Sequence, residues 1–197
     1  LAGYEDGSFR PDLPVRRVEL VAMLARLAGW NPANNETLPF SDAAGIPEWA
    51  RASVAAARLH GLVAGYEDGT FRPDLPVSRV EAAAFFTRYL EIVSKGTGNG
   101  SAADEAAPPS GATAPLPATS PAGQAGSSPL GTFGTPVSST PAVADIFRDW
   151  NEIPTWGREA VARAYTKGLM RGVAPDVFAP LSPLTRAQAA AVLARVK

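Results

Sequence analysis

Three arginines, Arg17, Arg79 and Arg186, occupy the first turn of a predicted helix, each in the same local setting. A cation at that end opposes the helix macrodipole, at a cost of about 0.3–1 kcal/mol. A locally unfavourable choice made three times implies a compensating partner. The partner is either a carboxylate of a neighbouring repeat or an anionic ligand. A helix start also presents free N–H groups to anions, and the guanidinium adds a planar fork that matches a carboxylate. The two readings predict different things for Arg79→Ala. Weakened binding with little change in melting temperature follows from a ligand, and a large stability loss follows from an internal ion pair.

Other residues recur beside them. Arg26, Arg88 and Arg195 lie nine positions further along each helix, away from the free N–H groups, and read as an exposed face. Trp49 and Trp156 begin two other helices, where a hydrophobic staple or core wedge is the ordinary role and support for a sugar ring the alternative. The single histidine, His60, falls at a helix end, placed to cap a terminal carbonyl. With no cysteine and no recurring Ser/His/Asp set, the chain offers no recognisable catalytic constellation. Glu67, Asp68 and Asp74 are acidic, but Arg72 and two prolines interrupt them, and the spacing differs from a helix-loop-helix calcium loop. No metal or cofactor is expected.

The elements that carry these residues are repeated. Gly65-Tyr66-Glu67-Asp68-Gly69-Thr70-Phe71-Arg72-Pro73-Asp74-Leu75-Pro76-Val77-Ser78-Arg79-Val80-Glu81 occurs 62 residues earlier, starting at Gly3, almost unchanged. It occurs 107 residues later, starting at Gly172, in degraded form that keeps Phe178, Pro180, Pro183, Leu184, Thr185 and Arg186. A gapless self-match of this length marks a repeat architecture. Asp68-Gly69 is a tight-turn signal, with Tyr66 and Phe71 packing beneath it. Ser78-x-x-Glu81 is a capping box, and Thr185-x-x-Gln188 is the same device; Arg16 breaks it in the first copy. Helices are predicted from Val15 to about Ala28, from Glu48 to His60, with Gly61 as the stop, and from Arg79 to Val93. Residues from Phe40 onward recur at offset 107 without a gap. A unit is thus helix, loop, helix, of about 55 residues by the spacing rules for such hairpins, and the first copy has only its second helix.

Chain organisation follows: a partial first unit over 1–29, a polar connector over 30–39, a full second unit over 40–93, a Pro/Gly/Ser/Ala/Thr-rich stretch over 94–142, and a divergent third unit over 143–197. The 94–142 stretch has too little apolar surface to offset chain entropy and reads as a long disordered linker. Net charge is −1, so no basic excess points to nucleic acid or an anionic membrane. No apolar run reaches the roughly 18–20 residues that span a bilayer, and no membrane insertion is expected.

Phe40-Ser41-Asp42, Trp49-Ala50, Val54, Gly61-Leu62-Val63-Ala64-Gly65-Tyr66, Asp68-Gly69-Thr70-Phe71-Arg72-Pro73 and Val77-Ser78-Arg79-Val80-Glu81 resemble, in order and spacing, a unit of the S-layer homology family. The resemblance covers residues 1–29, 40–93 and 143–197. It implies an all-α fold of helix-loop-helix repeats around a pseudo-threefold axis. It also implies non-covalent attachment to an anionic cell-wall polysaccharide, often one with pyruvylated sugars, at the extracellular face of the cell wall. Grooves between adjacent units would use Arg17, Arg79 and Arg186, and the site implied by resemblance also takes in Asp42, Trp49, Gly61, Asp149 and Trp156. A pyruvyl ketal carries a carboxylate, the ligand chemistry suited to the arginines. Two departures bear on the grooves: the first unit lacks its leading helix, and the third has Gly172-Val173-Ala174-Pro175-Asp176 for the turn and Gln188 for Glu81. Two other readings stay open at this point. The repeats could mediate self-association of a surface layer, or serve as a non-catalytic appendage of a cell-surface enzyme.

Overall fold

Each turn loop hands its helix to the next unit rather than to its own, and that exchange builds the molecule. A computed structural model describes residues 6–30, 38–96 and 143–196. Among these it shows five α-helices: α1 (Arg17–Leu27), α2 (Glu48–Leu59), α3 (Arg79–Gly96), α4 (Thr155–Thr166) and α5 (Arg186–Arg195). Short 3-10 turns, Ala43–Gly45 and Trp150–Glu152, precede α2 and α4. The described residues contain isolated bridges but no extended strand, so the chain is all-α. Helix α3 continues three residues past the predicted end at Val93, carrying Ser94 to Gly96 into the helix. The rest of the predicted linker, 97–142, lies outside the described residues, as do 31–37 of the connector.

The pseudo-threefold arrangement is visible in the backbone. Val15 N–H donates to the Leu184 carbonyl at 2.8 Å, Leu184 N–H to Val77 at 2.7 Å, and Val77 N–H to Val15 at 3.0 Å. These three equivalent residues, one per unit, close a ring of hydrogen bonds, and all three are buried. The third unit therefore completes the trimer within the same chain.

Helix starts are satisfied the same way. The N–H groups of Arg17 and Val18 donate to the carbonyls of Leu75 and Pro73. Those of Arg79 and Val80 reach Ser182 and Pro180, and those of Arg186 and Ala187 reach Leu13 and Pro11. The free donors that a helix N-terminus ordinarily leaves are thus spent on the neighbouring unit. The expectation that they wait for an anion does not hold, because the Pro-rich loop of the next unit lays its carbonyls across them.

Side-chain caps add to this. Ser78 Oγ and N–H both donate to Glu81 Oε2, at 2.6 and 2.8 Å. Thr185 and Gln188 form the equivalent pair. In the first unit Glu19 accepts from the Arg16 N–H at 2.9 Å, so half the box survives. The other half is missing because a guanidinium has no acceptor to offer. Arg16 bonds to Asp74 of the second unit instead, at 2.9 Å.

Helices from different units pack in pairs, α1 on α2 and α3 on α4. The second pair meets at Gly157, where an added Cβ would lie 2.2 Å from Val80 Cγ2, so the small residue sets the approach distance. Arg163 of α4 closes the same interface by an ion pair with Glu91 of α3. Helix α5 has no such partner among the described residues. Ala187, Ala191 and Ala194 are exposed, whereas the equivalent Val18, Ala22 and Ala25 of α1 are buried against α2.

Candidate functional site

The junction arginines are buried. Arg17 and Arg79 are each 3% exposed and Arg186 is 5% exposed. Arg79 spans to the third unit, where Nε donates to the Phe178 carbonyl at 2.7 Å and Nη2 to the Arg171 carbonyl at 2.6 Å. Its guanidinium lies 4.8 Å from the centroid of the Phe178 ring. Arg186 does the same toward the first unit, with Nε 3.0 Å from the Phe9 carbonyl and the guanidinium 5.2 Å from the Phe9 ring. The compensating partner of Arg79 is therefore neither of the two expected. Backbone carbonyls and an aromatic face of the adjacent unit take the place of a carboxylate.

Arg17 differs. It lies over three rings of the second unit, Tyr66 at 4.8 Å, Phe85 at 5.0 Å and Phe71 at 5.3 Å. Its Nε is buried without an acceptor, and so is the Tyr66 hydroxyl. Burial pushes the Arg17 and Arg79 guanidinium groups below their ordinary range; Tyr66 and Glu81 partly offset this at Arg17, as Asp149 does at Arg79. The third unit carries Val173 and Val192 where the second has Tyr66 and Phe85. With fewer rings to lie over, Arg79 is left to the carbonyls.

The remaining predicted residues divide by setting. Asp42 accepts from the backbone N–H groups of Phe71 and Arg72, both at 2.7 Å. Asp149 accepts from Phe178 at 2.9 Å and Ala179 at 2.6 Å. Both carboxylates thus hold the loop that supplies the junction. Gly61 sits at φ +74° after α2, with its N–H on Arg58 and that of Leu62 on Ala57. This is the Schellman closure that glycine makes inexpensive. Trp49 is 48% exposed and not a core wedge: Arg26 lies 5.6 Å from its ring and donates to its carbonyl at 3.3 Å. Trp156 is partly buried against the core, and its indole N–H has no partner. His60 stacks on Trp30 at 4.4 Å rather than serving only as a cap.

Sequence reasoning missed Arg72. Its guanidinium lies 4.1 Å from the centroid of the Tyr66 ring, and Nη2 is tied to Asp68 at 2.7 Å. Asp68 also accepts from the Thr70 hydroxyl at 2.6 Å and the Thr70 N–H at 2.9 Å. Asp6 makes the matching set with Ser8 and Arg10. The recurring D-G-[ST]-F-R spacing was the available signal. The hydroxyl bonds first, and the arginine bonds next, hold both carboxyls down at about 2. Because these values are depressed, the clamps are complete above the usual aspartate range and are lost only as pH falls through about 2. Carboxyl-carbon NMR titration is expected to give midpoints near 2 for Asp6 and Asp68; values near 4 would show the clamps to be absent in solution.

Residues 39–83 and 146–190 match the S-layer homology domain. These two units belong to that family, whose domains are non-catalytic cell-wall anchoring modules. The chain is also similar to individual surface proteins. It is 38% identical over 103 residues to cell surface glycoprotein 1 of Acetivibrio thermocellus, covering 48% of this chain and 4% of that protein. It is 31% identical over 93 residues to a cellulosome-anchoring protein of the same organism, covering 45% and 20%. A 24% identity over 193 residues relates it to an endoglucanase of Bacillus sp. (strain KSM-635), covering 98% of this chain and 16% of the enzyme. The chain thus spans a small part of each relative's length. Among the described residues no helix is long and apolar enough to cross a membrane.

Proposed function

We propose that this chain holds a surface protein to the cell wall by non-covalent binding of an anionic secondary wall polysaccharide at the junctions between its units. The observation that carries the reading is the state of Arg17, a buried junction guanidinium with no carboxylate partner and no acceptor for its Nε among the described residues. The carboxylates that act on Arg17 from a distance, Glu81 and Asp42, are bonded to other groups, so no counter-charge of the protein's own meets the guanidinium directly. An anionic sugar substituent, such as the carboxylate of a pyruvyl ketal, supplies it. Exposed Trp49, with Arg26 beside its ring, offers a flat apolar face of the kind that supports a sugar. The relatives' names, an anchoring protein and a cell surface glycoprotein among them, accord with this role. The similarity to an endoglucanase fits a chain that tethers a catalytic cargo rather than acting itself.

The test is sedimentation with purified walls before and after extraction of their anionic polymer. The chain is expected to pellet with intact walls and to stay in solution with stripped ones. Equal binding to stripped peptidoglycan would overturn the ketal-carboxylate reading.

A further inference from the structure

The three junctions are related by the pseudo-threefold axis, but they are not chemically equivalent. At the junction of the second and third units Arg79 is satisfied by two carbonyls. The positions matching Tyr66 and Arg72 are Val173 and Ala179, which supply neither a hydroxyl nor a cation. At the junction of the third and first units Arg186 is held by the Phe9 carbonyl.

The third–first junction has Tyr4 and Arg10 at the matching positions, but there the Nε of the arginine is bonded; at the junction of the first and second units it is not. The Tyr66 ring has two guanidinium groups close to it, Arg17 at 4.8 Å and Arg72 at 4.1 Å from its centroid. Tyr66 is only 6% exposed, and its hydroxyl and Arg17 Nε are both buried without partners. A buried donor left unmade costs about 1–3 kcal/mol, more when charged. The neighbouring side chains do not remove that cost. Asp68 is committed to Arg72 and Thr70, Glu81 to Ser78, and Asp42 to two backbone N–H groups.

We infer that this first junction is the one built for the anion, and that Arg17 and the Tyr66 hydroxyl are its paired donors to a sugar-borne carboxylate. The inference rests on the anchoring function proposed above. Arg72 lies against the same ring, its side chain 30% exposed and held by Asp68 and the Thr70 hydroxyl, and it is the member of the set that must give way to admit a carboxylate. The other junctions use the same arginine position to staple units together.

Tyr66→Phe isolates the claim, because it deletes a hydroxyl that the free protein leaves unpaired. Binding of the full chain to purified intact walls is expected to weaken at least tenfold, with the melting temperature unchanged or raised. Arg17→Lys, which keeps the charge but loses the fork, is expected to weaken binding as well. If the unsubstituted chain fails to distinguish intact from stripped walls, the anchoring function itself is wrong. If it does distinguish them and Tyr66→Phe binds as tightly as the parent, the function stands and the assignment to this junction is overturned.

Discussion

Arg79→Ala is expected to destabilise the protein by about 3–5 kcal/mol. The substitution removes two charge-assisted bonds to the Phe178 and Arg171 carbonyls. Such bonds are worth roughly 1.5–3 kcal/mol each, and a buried carbonyl left bare adds to the loss. The guanidinium also covers the Phe178 ring, so a cavity opens at the contact between the second and third units. Set against the 5–15 kcal/mol that small proteins typically have in total, the change is large. It shows as a lowered denaturant midpoint in urea. Arg79→Lys should recover part of it, since an ammonium reaches one carbonyl but cannot fork to two. A loss below about 1 kcal/mol, the range of an ordinary surface substitution, would mean that the arginine is not a staple. The same measurement on Arg26→Ala serves as the contrast, because that side chain is exposed and makes one long bond to a carbonyl.

That expectation reverses one branch of the sequence argument, and the reason is physical. The repeat, the turns, the caps and the helices were legible because each depends on residues a few positions apart. Asp68-Gly69 fixes a turn, Ser78 and Glu81 cap a helix, and Gly61 ends one, whatever lies beyond. The fate of Arg79 depends on residues 92 and 99 positions away. Its acceptors are backbone carbonyls, which carry no sequence signature. The pairing of helix starts with the Pro-rich loop of the next unit was hidden for the same reason. Arg17 shows the converse. Its difference from Arg79 follows from Tyr66 and Phe85 against Val173 and Val192, which the repeat alignment already displayed. What was missing was the knowledge that these positions converge on the arginine of another unit.

The second large effect is expected at Asp149. Ala179 adopts φ 56°, and the equivalent Arg72 and Arg10 adopt φ 56° and 51°. A left-handed conformation at a residue with a Cβ costs about 1–2 kcal/mol, yet all three units accept it. In two of them the cost is offset by a carboxylate that accepts both N–H groups flanking the bend. Asp149→Asn leaves one acceptor oxygen for two donors and turns an NH2 group toward an N–H. The expected loss is about 2–4 kcal/mol, from one charge-assisted bond and one buried donor left unmade. Ala179→Gly in the same background relieves the backbone strain and should return about 1 kcal/mol; no recovery would show that the carboxylate is not holding the bend. The effect must also reach the junction, because the carbonyl of Phe178 is the acceptor of Arg79 while its N–H is the donor to Asp149. Residues sharing a partner do not contribute independently. The double substitution Arg79→Ala/Asp149→Asn should therefore cost less than the two single losses combined, by more than 0.5 kcal/mol in urea unfolding. Strict additivity would mean that the bend and the inter-unit staple form separately, and the loop could not then be what sets the arginine's position.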